Sequence, residues 1–77
     1  MEAMTKIAEL NREKQRLIKQ VLRIEGKQDQ VSRAWWFSDS ETERTMLSAK
    51  ALRLANKWKR LQNQIDVIEL EEYRNRY

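Results

Sequence analysis

The chain has 77 residues, 40% of them hydrophobic and 36% charged, and 16 Lys and Arg against 12 Asp and Glu give a formal charge of +4. It has no Cys, His or Pro and one Gly, which argues against disulfides, thiolate chemistry, zinc sites and a turn-rich β fold. No apolar run approaches the ~18 residues of a membrane span, and the N-terminus lacks the pattern of a signal peptide. We therefore expect one small α-helical domain over residues 1–77, in the cytoplasm and without a membrane partner.

The first half of the chain repeats apolar residues at alternating spacings of four and three, which is the seam pattern of a coiled coil. This pattern predicts a helix over about residues 3–34. Lys14 and Gln28 are the polar seam residues, and Gly26 could mark a kink because glycine weakens a helix interior. The seam positions are Ala3, Ile7, Leu10, Lys14, Leu17, Val21, Ile24, Gln28, Val31 and Trp35.

A turn at about residues 35–40 is predicted from its serines and acids. Ser38 with Glu41, and Ser40 with Glu43, both have the spacing of a capping box, which starts a helix. The second helix is expected over about residues 39–76. Its seam positions are Leu47, Ala51, Leu54, Trp58, Leu61, Ile65, Ile68 and Glu72.

Two such seams joined by a short turn predict an antiparallel coiled-coil hairpin. A register centred between Phe37 and Ser38 lies inside the predicted turn, whereas a slip by one heptad moves the centre off the turn. The register centred in the turn makes the following pairs: Ile7 with Ile68, Leu10 with Ile65, Leu17 with Trp58, Val21 with Leu54, and Ile24 with Ala51.

The apolar residues outnumber those that one seam uses. Ile18 and Leu22 widen the first stripe, and a second row lies beside the other seam: Leu52, Ala55, Leu70, Tyr73 and Tyr77. A stripe of this width is typical of a bundle rather than of a lone hairpin. We therefore expect two hairpins to pair into a four-helix bundle, the alternative being that these residues are simply partly exposed.

Basic residues form one row on each helix. The row of the first helix comprises Arg12, Arg16, Lys19, Arg23 and Lys27, and that of the second comprises Arg53, Lys57 and Arg60. In the preferred register both rows occupy the middle of the rod, where they form a basic band suited to a phosphate backbone. The alternative is a solvated surface that keeps the helices soluble.

Three consecutive aromatic residues, Trp35, Trp36 and Phe37, lie at the turn and cannot all enter one seam, because neighbouring helical residues point about 100° apart. They could close the hairpin as a small local core. They could also anchor a protein partner, since Trp is enriched in binding hot spots. Stacking on unpaired bases is a weaker third use.

No cluster of acids or bases would be enclosed in a pocket by a two-helix rod, so we expect neither catalysis nor a cofactor. The first functional hypothesis is a small protein that acts through protein–protein contacts, as an adaptor, inhibitor, regulator or assembly factor. It would use the aromatic tip and the wide apolar surface, with itself and an unidentified protein as partners. The alternative is a nucleic-acid-binding regulator that uses the basic band.

Overall fold

A computed structural model of the protein describes residues 2–76, with side-chain exposure from Met4 onward. It contains two helices, α1 (Glu2–Phe37) and α2 (Glu41–Arg76), which pack antiparallel along their length. The predicted all-α helical hairpin is confirmed. The seam position of Ala3 and the place of Tyr77 in the second apolar row lie outside the described side chains.

The predicted seams form the contact between the helices. Every predicted seam residue from Ile7 to Trp35 on α1, and from Leu47 to Glu72 on α2, is buried or half-buried. The alternating spacing works because it keeps one stripe of each helix turned towards the other. The central core cluster consists of Leu17, Val21, Ile24, Leu61, Ile65 and Ile68.

The connection between the helices is shorter than predicted, because Trp35–Phe37 form the last turn of α1 and only residues 38–40 lie outside a helix. The Ser40 hydroxyl accepts the backbone N–H of Glu43 at 3.2 Å, which is the hydroxyl half of that predicted capping box. The buried Ser38 hydroxyl instead accepts the N–H of Ser40 at 3.3 Å. Consecutive aromatic residues do not break a helix, and the helix therefore ends only where the serines offer the backbone other hydrogen bonds.

The predicted register is wrong. Leu17 was expected beside Trp58, but the Trp58 indole N–H donates to Glu25 Oε1 at 3.1 Å. Glu25 lies eight residues, or about 12 Å, further along α1 than Leu17. The core also joins Leu17 to Ile65 and Ile68, which fits a register shifted by one heptad from the predicted one.

The shifted register has a physical reason in the polar seam residues. A seven-residue repeat offers nearly the same apolar contacts after a slip of seven. Only the observed register brings Lys14 next to Glu72, with Nζ 2.9 Å from Oε1 and 3.2 Å from Oε2. A buried charge is costly without a partner, so the pair favours this register.

The hairpin is a thin rod with a large surface. It measures 59 × 14 × 12 Å along its principal axes, and α1 continues through Gly26 without interruption. Its accessible surface is 6530 Å², whereas a compact monomer of this mass exposes about 5,000 Å². The excess, about 1,500 Å², shows how much apolar and polar surface a single hairpin leaves uncovered.

Candidate functional site

Two grooves run along the hairpin, one on either side of the seam. On one side, Ser32 and Ser48 line a groove with Trp35 and Ala51. On the other side, Arg23, Lys27 and Lys57 line the groove. The residues that flank the seam line the groove on their own side. The first groove is therefore uncharged and the second is basic.

Basic residues from both predicted rows line the same side of the seam, which we call the basic side. Lys27 borders the groove together with Lys57 from α2, and nearer the turn it borders a groove with Lys50. Arg53 and Arg60 lie four residues before and three residues after Lys57, so they share its strip of α2. The fold therefore places Lys27 of the first row beside Lys57 of the second.

The corrected register moves the α2 row along the rod. Lys57 was predicted level with Ile18 but lies beside Lys27, about one heptad nearer the turn. The two rows therefore overlap over only part of their length. Together they extend from Arg12 to the level of Arg53, a distance of about 25 Å at 1.5 Å per residue.

The basic side keeps most of its charge unpaired. Arg16 forms an ion pair with Glu13 at 2.6 Å. Within residues 2–76, the other seven predicted band residues have no carboxylate within 4.0 Å. These seven are Arg12, Lys19, Arg23, Lys27, Arg53, Lys57 and Arg60.

The opposite side of the hairpin, which we call the apolar side, carries surplus hydrophobic residues from both helices. Ile18 packs partly on the core, while Leu22, one turn further along α1, is 61% exposed. Leu52 on α2 is 64% exposed, and Ala55 follows it by three residues. The Trp58–Glu25 hydrogen bond lies on this side as well, so the Glu25 carboxylate has a hydrogen-bond donor there.

At the tip, one aromatic side chain is partly packed and two are exposed. Trp35 is half-buried, with the guanidinium of Arg44 5.0 Å from its ring centre. Trp36 meets Trp35 edge-on at 5.4 Å and is 72% exposed, and Phe37 is 85% exposed. Only one of the three predicted tip residues therefore contributes to a local core.

The tip contains two further residues of note, of which the sequence interpretation missed Arg44. Met46, in the second turn of α2, is 68% exposed and adds a third large apolar side chain to this end. Arg44 covers Trp35. The signal for Arg44 was available, since it lies three residues before Leu47 and thus continues the seam spacing backwards to the tip.

Over the described part of the chain, no three His, Cys, Asp or Glu residues are grouped closely enough to hold a metal ion. Neither helix, over the same residues, has an apolar stretch that could cross a membrane. In comparisons with known proteins, no family model, no curated protein and no solved structure shows significant similarity to this chain.

Proposed function

We propose that this protein is a non-catalytic cytoplasmic helical hairpin that acts through protein–protein contacts. The observation that carries the proposal is the tip, where Trp36 and Phe37 are 72% and 85% exposed. Large aromatic side chains held on a helix lose little conformational freedom on binding and are frequent anchors of interfaces. A partner that covers them removes apolar surface from water, which is the main favourable term in association.

The hairpin also pairs with a second copy through the apolar side, forming a four-helix bundle. Leu22 and Leu52 are the exposed leucines of this side, and covering them extends the core of each hairpin. The surface excess of about 1,500 Å² is of the size that an obligate pair buries per subunit. Pairing gives a small core the additional burial that chains of this length usually need.

Pairing is tested with the double variant Leu22→Gln/Leu52→Gln, which keeps the charge and the helix propensity of the chain. Sedimentation equilibrium should give twice the chain mass for the wild type and one chain mass for the variant. Val67→Gln is the matched control, because Val67 is exposed but lies off the apolar side. A monomeric wild type at tens of micromolar would refute pairing.

The tip is tested by placing a photoreactive phenylalanine at position 37 in the cells that produce the protein. A specific cross-linked protein should appear, and the purified partner should bind the wild type at least tenfold more tightly than Trp36→Ala. Circular dichroism should show unchanged helicity in Trp36→Ala, because the Trp36 side chain is mostly in water. The same cross-links from position 67, or undiminished binding by Trp36→Ala, would contradict this role.

Nucleic-acid binding is a second candidate function, favoured by the meeting of both basic rows on one side with seven of their eight cations unpaired. Lys57→Glu should weaken duplex binding, because it places a negative charge in the groove beside Lys27. Lys59→Glu is the matched control, since it makes the same charge change two residues away, on the other side of α2. Fluorescence anisotropy at about 50 and 200 mM salt measures both, and equal effects of the two variants would exclude the basic side.

A further inference from the structure

We infer that the paired protein bridges two separate nucleic-acid duplexes. The inference rests on the proposed pairing through the apolar side. It assigns one duplex to the basic side of each hairpin. At about 100° per residue, Leu22 lies on one flank of the α1 seam and Lys27 on the other, and Leu52 and Lys57 are divided in the same way on α2. When two hairpins join by their apolar sides, their basic sides become the two outer surfaces of the bundle and face away from each other.

The charge distribution fits a phosphate backbone. The basic rows extend about 25 Å along the rod, somewhat less than one turn of a duplex, which is about 34 Å. Between Arg44 and Gln64 the α2 sequence contains no acid, so no carboxylate on this helix repels a strand along that stretch. Each cation that meets a phosphate releases condensed counterions, which favours duplexes over small anions of low charge density.

One duplex cannot occupy both outer surfaces. Each hairpin is only 12–14 Å across in its backbone dimensions, so a duplex would have to fold back sharply to reach the opposite side of the bundle. Duplex DNA resists this, because its persistence length is about 150 base pairs. A dimer that uses both basic sides therefore holds two duplexes, whereas a monomer holds one.

The experiment uses two separate DNA duplexes of about 40 base pairs, a length well below the persistence length. One is biotinylated and fixed on beads, and the other is fluorescent and free in solution. Wild-type protein should carry the fluorescent duplex onto the beads. Leu22→Gln/Leu52→Gln should reduce this co-capture at least tenfold. Anisotropy should show that this variant still binds a single duplex.

Two charge variants show whether the basic side holds both duplexes. Lys57→Glu should lower both binding and co-capture, and it should reduce the magnitude of the salt slope by about one unit per hairpin. Arg33→Glu makes the same charge change at a cation that is already paired with Asp29 at 3.1 Å and lies outside both the basic rows and the apolar side, and it should change neither by more than about twofold. Loss of co-capture with Arg33→Glu but not with Lys57→Glu would overturn the assignment to the basic side.

Failure of bridging and failure of pairing give different results. A wild type that sediments as a dimer and binds a duplex but carries none onto the beads would overturn bridging and leave pairing intact. A dimer that binds no duplex even at about 50 mM salt would overturn bridging in the same way. A monomeric wild type would overturn the proposed pairing, and bridging with it.

Discussion

The two halves of the hairpin are built differently. Away from the turn, the six core residues between positions 17–24 and 61–68 are all buried. In the half that contains the turn, Val31 and Ser38 are the buried side chains among the described residues, and Leu47 and Ala51 are half-buried. Two of its aromatic side chains, Trp36 and Phe37, are mostly in water.

Side-chain size along the seam explains the difference. The far half has leucine, isoleucine or valine at its six buried core positions, and its Lys14–Glu72 pair forms a polar layer. The turn half opposes Val31 and Gln28 with Ala51 and its neighbours, which leaves open grooves beside the seam. We therefore expect the far half to carry most of the stability of the hairpin.

The largest expected effect comes from truncating one seam residue in each half and comparing the losses in the free energy of unfolding. Ile65→Ala should lower the free energy of unfolding by about 3 kcal/mol, because it leaves a cavity in the buried core. Leu47→Ala should cost about 1 kcal/mol, since Leu47 is already half in contact with water. Urea denaturation followed by circular dichroism measures both, and equal losses would mean that stability is spread evenly along the rod.

A smaller effect is expected from the buried ion pair of the far half. Glu72→Leu should cost about 1–3 kcal/mol, because it leaves the Lys14 ammonium partly buried without its carboxylate. Lys14→Leu/Glu72→Leu should recover most of that loss by replacing the pair with an apolar layer. If the double variant is no more stable than Glu72→Leu in the same denaturation assay, the packing at this layer and not the unpaired charge is responsible.

The smallest effect concerns Gly26, at the boundary between the halves. A Cβ added there would meet no atom within 4 Å, and the backbone is helical without a positive φ. Gly26→Ala should therefore raise the free energy of unfolding by about 1 kcal/mol. A loss of stability on calorimetric or urea unfolding would show that the hairpin needs the freedom of glycine at this position.

Much of the fold followed from the sequence because the seam spacing is a local signal. The helices, the seam residues and the serine cap at Ser40 depend on neighbours within one or two turns, and the structure has them as predicted. The ending of α1 was placed three residues too early. The aromatic residues Trp35–Phe37 were interpreted as part of the turn, although nothing in their backbone preferences prevents a helix.

The register could not be obtained in the same way, because it depends on residues far apart in the chain. A heptad repeat fits its partner equally well after a slip of seven, and the assumption of a turn centred at Phe37 and Ser38 chose the wrong alternative. The sequence analysis considers Lys14 and Glu72 only as members of separate seams, whereas their opposite charges distinguish the two registers. The meeting of the basic rows beside Lys27 and Lys57 depends on this register and was predicted at the wrong level for the same reason.

The three indoles report on the two halves separately. Trp58 hydrogen-bonds Glu25 beside the core, Trp35 lies under a guanidinium, and Trp36 is mostly in water. An indole in water emits at longer wavelength than one packed against protein, so variants that retain a single Trp each give a distinct spectrum. Fluorescence of the protein can therefore tell fraying of the turn from opening of the core without any added label.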